Sequence, residues 1–275
     1  MSNQQKQQPS PVAVITGASG GIGEATARAL AQAGYRVFGT SRKTPTRPTP
    51  GVEHVACDVT RDDSVGAAIA EVLAKAGRID LLVNNAGVGL IGAAEESSIE
   101  QAKALFDVNL FGVIRTIKAV LPVMRGQRSG RIVNISSVQG FIPAPYFALY
   151  GASKHALEGY SESLDHEVRD AGVRVILVEP AYTRTSFESN LIQADQPLGD
   201  YASARSNAET VTREVMLTAD SPEVVAKAVL KASTAAEPNA RYTAGGFARQ
   251  VSLLRRFVPR SAFDKSLRKQ LRMPA

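Results

Sequence analysis

Tyr150 and Lys154 stand at i and i+4 in the stretch Tyr146-Phe-Ala-Leu-Tyr-Gly-Ala-Ser-Lys154, and the residues from His155 to Asp165 read as helix. On a helix that spacing places both side chains on one face, about one turn apart. A free phenol titrates near ~10, too high to exchange protons readily at neutral pH. A neighbouring ammonium favours the phenolate, so the pair could serve as a proton donor and acceptor. The same spacing also arises by accident on helix surfaces. What gives it weight is the chain around it.

The elements that would position the pair alternate between strand and helix. Val12 to Thr16 is a short apolar, β-branched run, a buried strand. Gly17-Ala-Ser-Gly-Gly-Ile-Gly23 follows, and then a strong helix former from Glu24. Strand, glycine loop and helix make a phosphate site, because glycines let the backbone approach and the helix N-terminus offers N–H donors. The glycine spacing, Gly17-x-x-x-Gly21-x-Gly23, differs from the commoner Gly-x-Gly-x-x-Gly. Arg36 to Ser41 is the next strand. At its end an acid suits a ribose hydroxyl and a cation suits a ribose phosphate. The chain reads Ser41-Arg42-Lys43, with no acid from Tyr35 to Val52. That favours a 2′-phosphate, although solvated surface charge would look the same.

Val52 to Cys57 is a third strand, with Asp58 at its end, and Thr60 to Ala76 a helix. Asp80 to Asn84 is a fourth strand, ending in Asn84-Asn85-Ala86-Gly87. Ser97-Ser-Ile-Glu100 reads as a capping box opening one long helix through Met124, with Asn109 inside it. Arg131 to Ser136 is strand five, with Ser136 and Ser137 at its carboxyl end, where open α/β sheets hold their sites. The Tyr150 helix runs to about Ala171, and Val173 to Glu179 is strand six. Residues 183–220 lack strong periodicity and are too long for a plain loop, so they are expected to hold short helices and act as a lid. Ser221-Pro222 opens another helix. Alternation without linker or repeat predicts a single α/β domain, a Rossmann-type doubly wound parallel sheet, over residues 11–240.

A chain of 275 residues, 44% hydrophobic and 21% charged, is an ordinary globule in composition. Cys57 is the single cysteine, which excludes an internal disulfide and suits a reducing, cytoplasmic setting. Residues 1–10 are polar, have no apolar signal core and read as a disordered tail. No apolar run approaches the ~20 residues of a membrane-spanning helix. From Arg241 onward nine basic residues face one acid, a net +8 in a chain of +6, so the first 240 residues carry −2. The main body is therefore no nucleic-acid binder. In this 241–275 extension Phe247, Val251, Leu254 and Val258 form an apolar helical stripe, continued by Phe263, Leu267 and Leu271. Two readings stand. The stripe packs on the domain or closes a pocket, or residues 244–275 form a basic amphipathic surface that makes peripheral contact with an anionic membrane.

In order along the chain, Thr16-Gly17-x-x-x-Gly21-x-Gly23, Asp58, Asn84-Asn85-Ala86-Gly87, Asn109, Ser137, Tyr150-x-x-x-Lys154 and Pro180-x-x-Thr183-x-Thr185 resemble the short-chain dehydrogenase/reductase family over roughly Val12 to Thr234. The resemblance implies a nicotinamide cofactor and a catalytic group of Asn109, Ser137, Tyr150 and Lys154. Ser136 competes with Ser137, and the family's usual gap before the Tyr selects Ser137. Tyr146 has no Lys four residues on. One departure is Pro180-Ala181, where the family often has Pro-Gly.

The resemblance further implies that Tyr150 exchanges a proton with a carbonyl oxygen, Ser137 donates a hydrogen bond to it, and Lys154 lowers the Tyr150 pKa and meets the nicotinamide ribose. Asn109 would help hold a water behind Lys154. Gly17, Ser19, Gly21, Ile22 and Gly23 would take the pyrophosphate, with Ser41, Arg42 and Lys43 selecting NADP(H). Asp58 and Val59 would meet the adenine, Asn85, Ala86 and Gly87 the adenosine side, and Pro180, Thr183 and Thr185 the nicotinamide side. The expectation is an NADP(H)-dependent enzyme interconverting an apolar ketone or aldehyde and an alcohol, working as a homo-oligomer (dimer or tetramer). The alternative is a non-catalytic NADP-binding sensor or scaffold on the same fold, which would be expected to lose the Tyr or Lys.

Overall fold

The computed structural model describes residues 10–43, 45–185, 187, 190–270 and 272. Most of the expected N-terminal tail and Leu271 of the apolar stripe lie outside these residues. The elements run β1 (Val12–Thr16), α1 (Gly21–Gln32), β2 (Arg36–Ser41), β3 (Val52–Ala56), α2 (Asp62–Ala76), β4 (Leu81–Asn84), β5 (Leu90–Ile91) and α3 (Ile99–Phe106). After a π-helical turn at Asp107–Phe111 come α4 (Gly112–Gln127), β6 (Gly130–Ile135), α5 (Ala148–Val168), β7 (Val173–Pro180), β8 (Ile192–Gln193), α6 (Ala202–Met216), α7 (Pro222–Thr234), β9 (Arg241–Ala244), α8 (Gly246–Phe257) and α9 (Arg260–Gln270).

Among the described residues the main sheet has seven parallel strands in the order β3-β2-β1-β4-β6-β7-β9. Its inner strands are apolar on both faces because helices cover both. Val12, Val14, Leu82 and Ile132 face the layer built by α2, α4 and α5. Ala13, Ile15, Leu81, Val83 and Val133 face the layer of α1 and α7. The order reverses between β1 and β4, and the crevice at their carboxyl ends is where such sheets hold ligands.

Four expectations need correction. The helix after residue 97 is capped by Ser98, whose Oγ accepts from Gln101 N at 3.1 Å, so the cap lies one residue later than Ser97. That helix is not continuous through Met124 but widens into the π turn, which carries Asn109. Within 183–220 the chain forms the fifteen-residue α6 and a short strand, β8, paired with β5. Arg241–Ala244 is the edge strand of the main sheet, so a boundary at residue 240 cuts the domain. Its alternation of half-buried and buried residues is only four long, too short to stand out from a basic tail.

Candidate active site

Serine 137 follows β6 and caps the short turn Val138–Gly140, its Oγ accepting from Gln139 N at 3.2 Å. Tyr150, in the first turn of α5, is buried beside Ser137. The Phe187 ring lies over it, centroids 5.9 Å apart. Burial pushes the Tyr150 phenol up to about 12, against a smaller pull downward from Ser137. Lys154 donates to Ile135 O at 2.9 Å and lies 5.8 Å from the Tyr150 ring centroid. Burial lowers its ammonium to about 8, with Glu158 opposing. The expected depression of the phenol by Lys154 is therefore not what this geometry produces. Desolvation dominates, and the ammonium is anchored to a carbonyl beneath the ring. At neutral pH Tyr150 is a protonated donor.

Ser136 points away from this group. Its Oγ donates to Glu158 Oε1 at 2.7 Å, one turn beyond Lys154 on α5. Arg241 on β9 then ties three carboxylates, reaching Glu158 and Glu179 at 2.5 Å each and Glu162 at 2.7 Å. Glu158 and Glu179 are buried. Burial and then the Glu158 charge push Glu179 up to about 7, although Arg241 works against both.

The other end of the crevice is a backbone cradle. No side chain caps α1, and Gly20, its N-cap, is open to space on its Cβ side. Gly17 has φ 67° and an added Cβ would lie 2.9 Å from Ala86 Cα, so only glycine fits. These features fit a pyrophosphate held by N–H groups at a helix N-terminus. Gly23 does not reach the crevice. Its Cβ would run into Gly17 O and Asn85 Nδ2, so its place is close packing of loop against loop. Asn85 Nδ2 donates to Thr16 O at 3.0 Å and Gly17 O at 3.1 Å, tying β4 to the glycine loop. Thr60 N and Oγ1 donate to Asp58 Oδ1 at 3.0 and 2.7 Å, and these bonds hold its carboxyl below the usual range, helped by the Arg42 charge.

One cavity of about 1040 Å³ joins both ends. Its walls include Gly17, Ser19, Gly21, Ile22, Ser41, Arg42, Asp58, Val59, Asn85, Ala86, Gly87, Ser137, Tyr150, Lys154, Pro180, Thr183 and Thr185. Gly23, Lys43 and Asn109 do not line it. Lys43 is exposed, and its carbonyl accepts from Ser41 Oγ at 2.6 Å. Asn109 is buried, with Oδ1 accepting from Val88 N and Nδ2 donating to Val88 O, both at 2.9 Å, and to Ser153 Oγ at 3.1 Å. Its amide braces the loop beside Lys154.

A family model described as short chain dehydrogenase matches residues 11–196. The chain belongs to the short-chain dehydrogenase family. It is 44% identical over 179 residues to 3-ketodihydrosphingosine reductase of Bacteroides thetaiotaomicron, a match covering 65% of this chain and 66% of that protein. A Burkholderia phymatum short-chain dehydrogenase/reductase solved with NAD superposes at TM-score 0.78 and 27% identity over 96% of each chain. A Burkholderia cenocepacia short-chain dehydrogenase solved with NADP superposes at 0.75 and 26%, covering 94% of this chain and 97% of that one.

In this short-chain dehydrogenase several wall residues carried no sequence signal. Phe187 and Leu191, from a segment without periodicity, pack against Gly89, where an added Cβ would lie 2.7 Å from the Phe187 ring, and the Phe187 ring covers Tyr150. Of the apolar and aromatic residues that the sequence puts near the presumed pocket, Ile142, Pro143, Phe147 and Tyr182 line the cavity, whereas Phe141, Tyr146 and Leu149 do not. The apolar stripe was visible in the sequence. Its inner residues, Phe247, Val251, Leu254, Val258, Phe263 and Leu267, line the same cavity.

Proposed function

We propose that this short-chain dehydrogenase is an NADP(H)-dependent oxidoreductase that interconverts a ketone or aldehyde and an alcohol. The observation that carries the proposal is the shared cavity, with Ser137, Tyr150 and Lys154 on one wall and the uncapped N-terminus of α1 at the far end. The relative in Bacteroides is by name a reductase of a keto compound, and solved relatives hold NADP or NAD. Gly17, Ser19, Gly21 and Ile22 would hold the pyrophosphate, and Arg42 with Ser41 a 2′-phosphate. A bound nicotinamide supplies or accepts the hydride. Tyr150 gives its proton to the carbonyl oxygen, or takes the hydroxyl proton in reverse. Ser137 donates to the same oxygen as charge develops there. Lys154, charged below about 8, sets a positive potential beneath the phenol. Asn109 holds the Val88 loop against this wall. The presence of both Tyr150 and Lys154 favours turnover over a sensor or scaffold role.

Two surface features extend the proposal. Exposed Ile99, which opens α3, and Phe111, in the π turn, favour a homo-oligomer, which sedimentation at working concentration checks. Exposed Leu253 and Phe257 beside Arg256 and Arg260 favour peripheral contact with an anionic membrane. The deciding test of the main proposal is direct. Dissociation constants for NADPH and NADH, followed by a carbonyl panel, should show tighter NADPH binding and NADPH oxidation. NADH binding as tight or tighter overturns the NADP preference, and no turnover of any carbonyl overturns the reaction.

A further inference from the structure

Beyond the glycine loop and the Ser137, Tyr150 and Lys154 wall, the cavity continues along α6, α8 and α9. From Tyr150 it passes Ile142 and Phe147, then runs beneath Met216 of α6 and between α8 and α9. On α9 and the turn before it the wall residues are Val258, Ala262, Phe263, Ser266, Leu267 and Gln270. These positions recur at steps of one, three and four, so one face of the helix lines the passage throughout. From Ala262 to Gln270 that face extends about 12 Å at 1.5 Å per residue. Phe263 and Leu267 are half-buried, while Ala262, Ser266 and Gln270 are exposed, so the passage is closed near Tyr150 and opens to solvent along α9. Val251 and Ala248 anchor α8 on Val138 and Ile142, directly beyond the catalytic serine. The α8–α9 pair therefore forms one side of a trough that starts at the reacting group.

A trough of this length, with Val258, Phe263 and Leu267 in its wall, exposed Ser266 and Gln270 at its rim, and continuous with Tyr150, fits an unbranched hydrocarbon chain attached to the reacting carbon. We propose that the substrate is a carbonyl compound or secondary alcohol bearing a long alkyl chain, with the chain lying between α6 and the α8–α9 pair. The inference rests on the carbonyl–alcohol reading of the same site. Burial of each methylene in such a trough is worth about fourfold in affinity, from ~0.8 kcal/mol per CH₂.

The test is a homologous series of unbranched methyl ketones assayed with NADPH, together with calorimetry on the matching series of unbranched alcohols. kcat/KM and alcohol affinity should both climb about fourfold per methylene until the trough is filled. In Leu267→Glu, where a carboxylate enters a half-buried wall position, the ratio of long- to short-chain kcat/KM should fall at least tenfold. A flat dependence on chain length in both measurements overturns the proposal. So does a rising dependence that Leu267→Glu leaves intact. If no ketone turns over while alcohol affinity still rises with length and falls in Leu267→Glu, the trough stands and the redox assignment falls.

Discussion

Arg241 holds together two buried carboxylates that would otherwise repel one another, and its removal should be among the most damaging single changes in the domain. The cluster contains one cation against Glu158, Glu162 and Glu179. With three carboxylates ionised it would carry a net charge of −2; burial first, and then the Glu158 charge, raise Glu179 from 4.5 to about 7. That rise corresponds to about 3 kcal/mol at ~1.36 kcal/mol per pH unit. Because the folded-state value is raised, the associated stability is fully present below pH 4.5 and is lost as pH rises through about 7. Arg241→Met leaves Glu158 and Glu179 buried without a cation, a loss of about 3–5 kcal/mol where both are ionised. At lower pH the folded protein can protonate them, so the loss should shrink. Urea unfolding of wild type, Arg241→Met, Glu179→Gln and the double variant at pH 5 and pH 8 measures this. Arg241→Met should be hurt more at pH 8 than at pH 5. Glu179→Gln should be no less stable than wild type at pH 8 and should restore part of the Arg241→Met loss. A cost under about 1 kcal/mol at pH 8, or equal costs at the two pH values, would refute the reasoning.

Tyr150→Phe keeps the ring beneath Phe187 and removes the proton, so turnover should drop about 10²–10⁴-fold with NADPH affinity retained; substantial residual activity by steady-state kinetics would count against the assignment. Reduction needs Lys154 charged, so kcat/KM should fall as pH rises through about 8, and Lys154→Met should abolish that inflection while weakening cofactor binding. Gly23→Ala drives a Cβ into Gly17 O, and thermal unfolding together with NADPH titration should show loss of both stability and cofactor affinity. Pelleting with anionic vesicles should bring down the full-length protein at low salt and release it as salt rises, and neutralising Arg256 and Arg260 should weaken it; binding indifferent to salt would leave those cations a solvated face.

The parts of the molecule legible in the sequence were those fixed by local physics. Buried parallel strands are apolar on both faces, so β1, β4, β6 and β7 stand out as short runs. The glycine loop is legible because a positive φ at Gly17 and a collision at Gly23 leave no other residue type acceptable. What escaped depends on partners distant in sequence. β9 is a strand because Leu177 to Pro180 pair with it, and Arg241 is a half-buried ion-pair partner because buried Glu158 and Glu179 face it from α5 and β7. In the sequence Arg241 counts as the first cation of a basic tail. In the fold it is a fixed counter-charge to the carboxylate that Ser136 donates to. The titration of Tyr150 and Lys154 escaped for a related reason. Spacing alone brings an ammonium near a phenol, but only the packed structure shows that burial acts on both groups, raising one and lowering the other. Desolvation scales with everything packed around a group, and no motif spells that out. A pair recognised by spacing thus has its place in the site legible, but not its titration. The same distinction separates the apolar stripe of α8 and α9, plain in the sequence, from the trough it lines, whose walls also take in Thr212 and Met216 of α6.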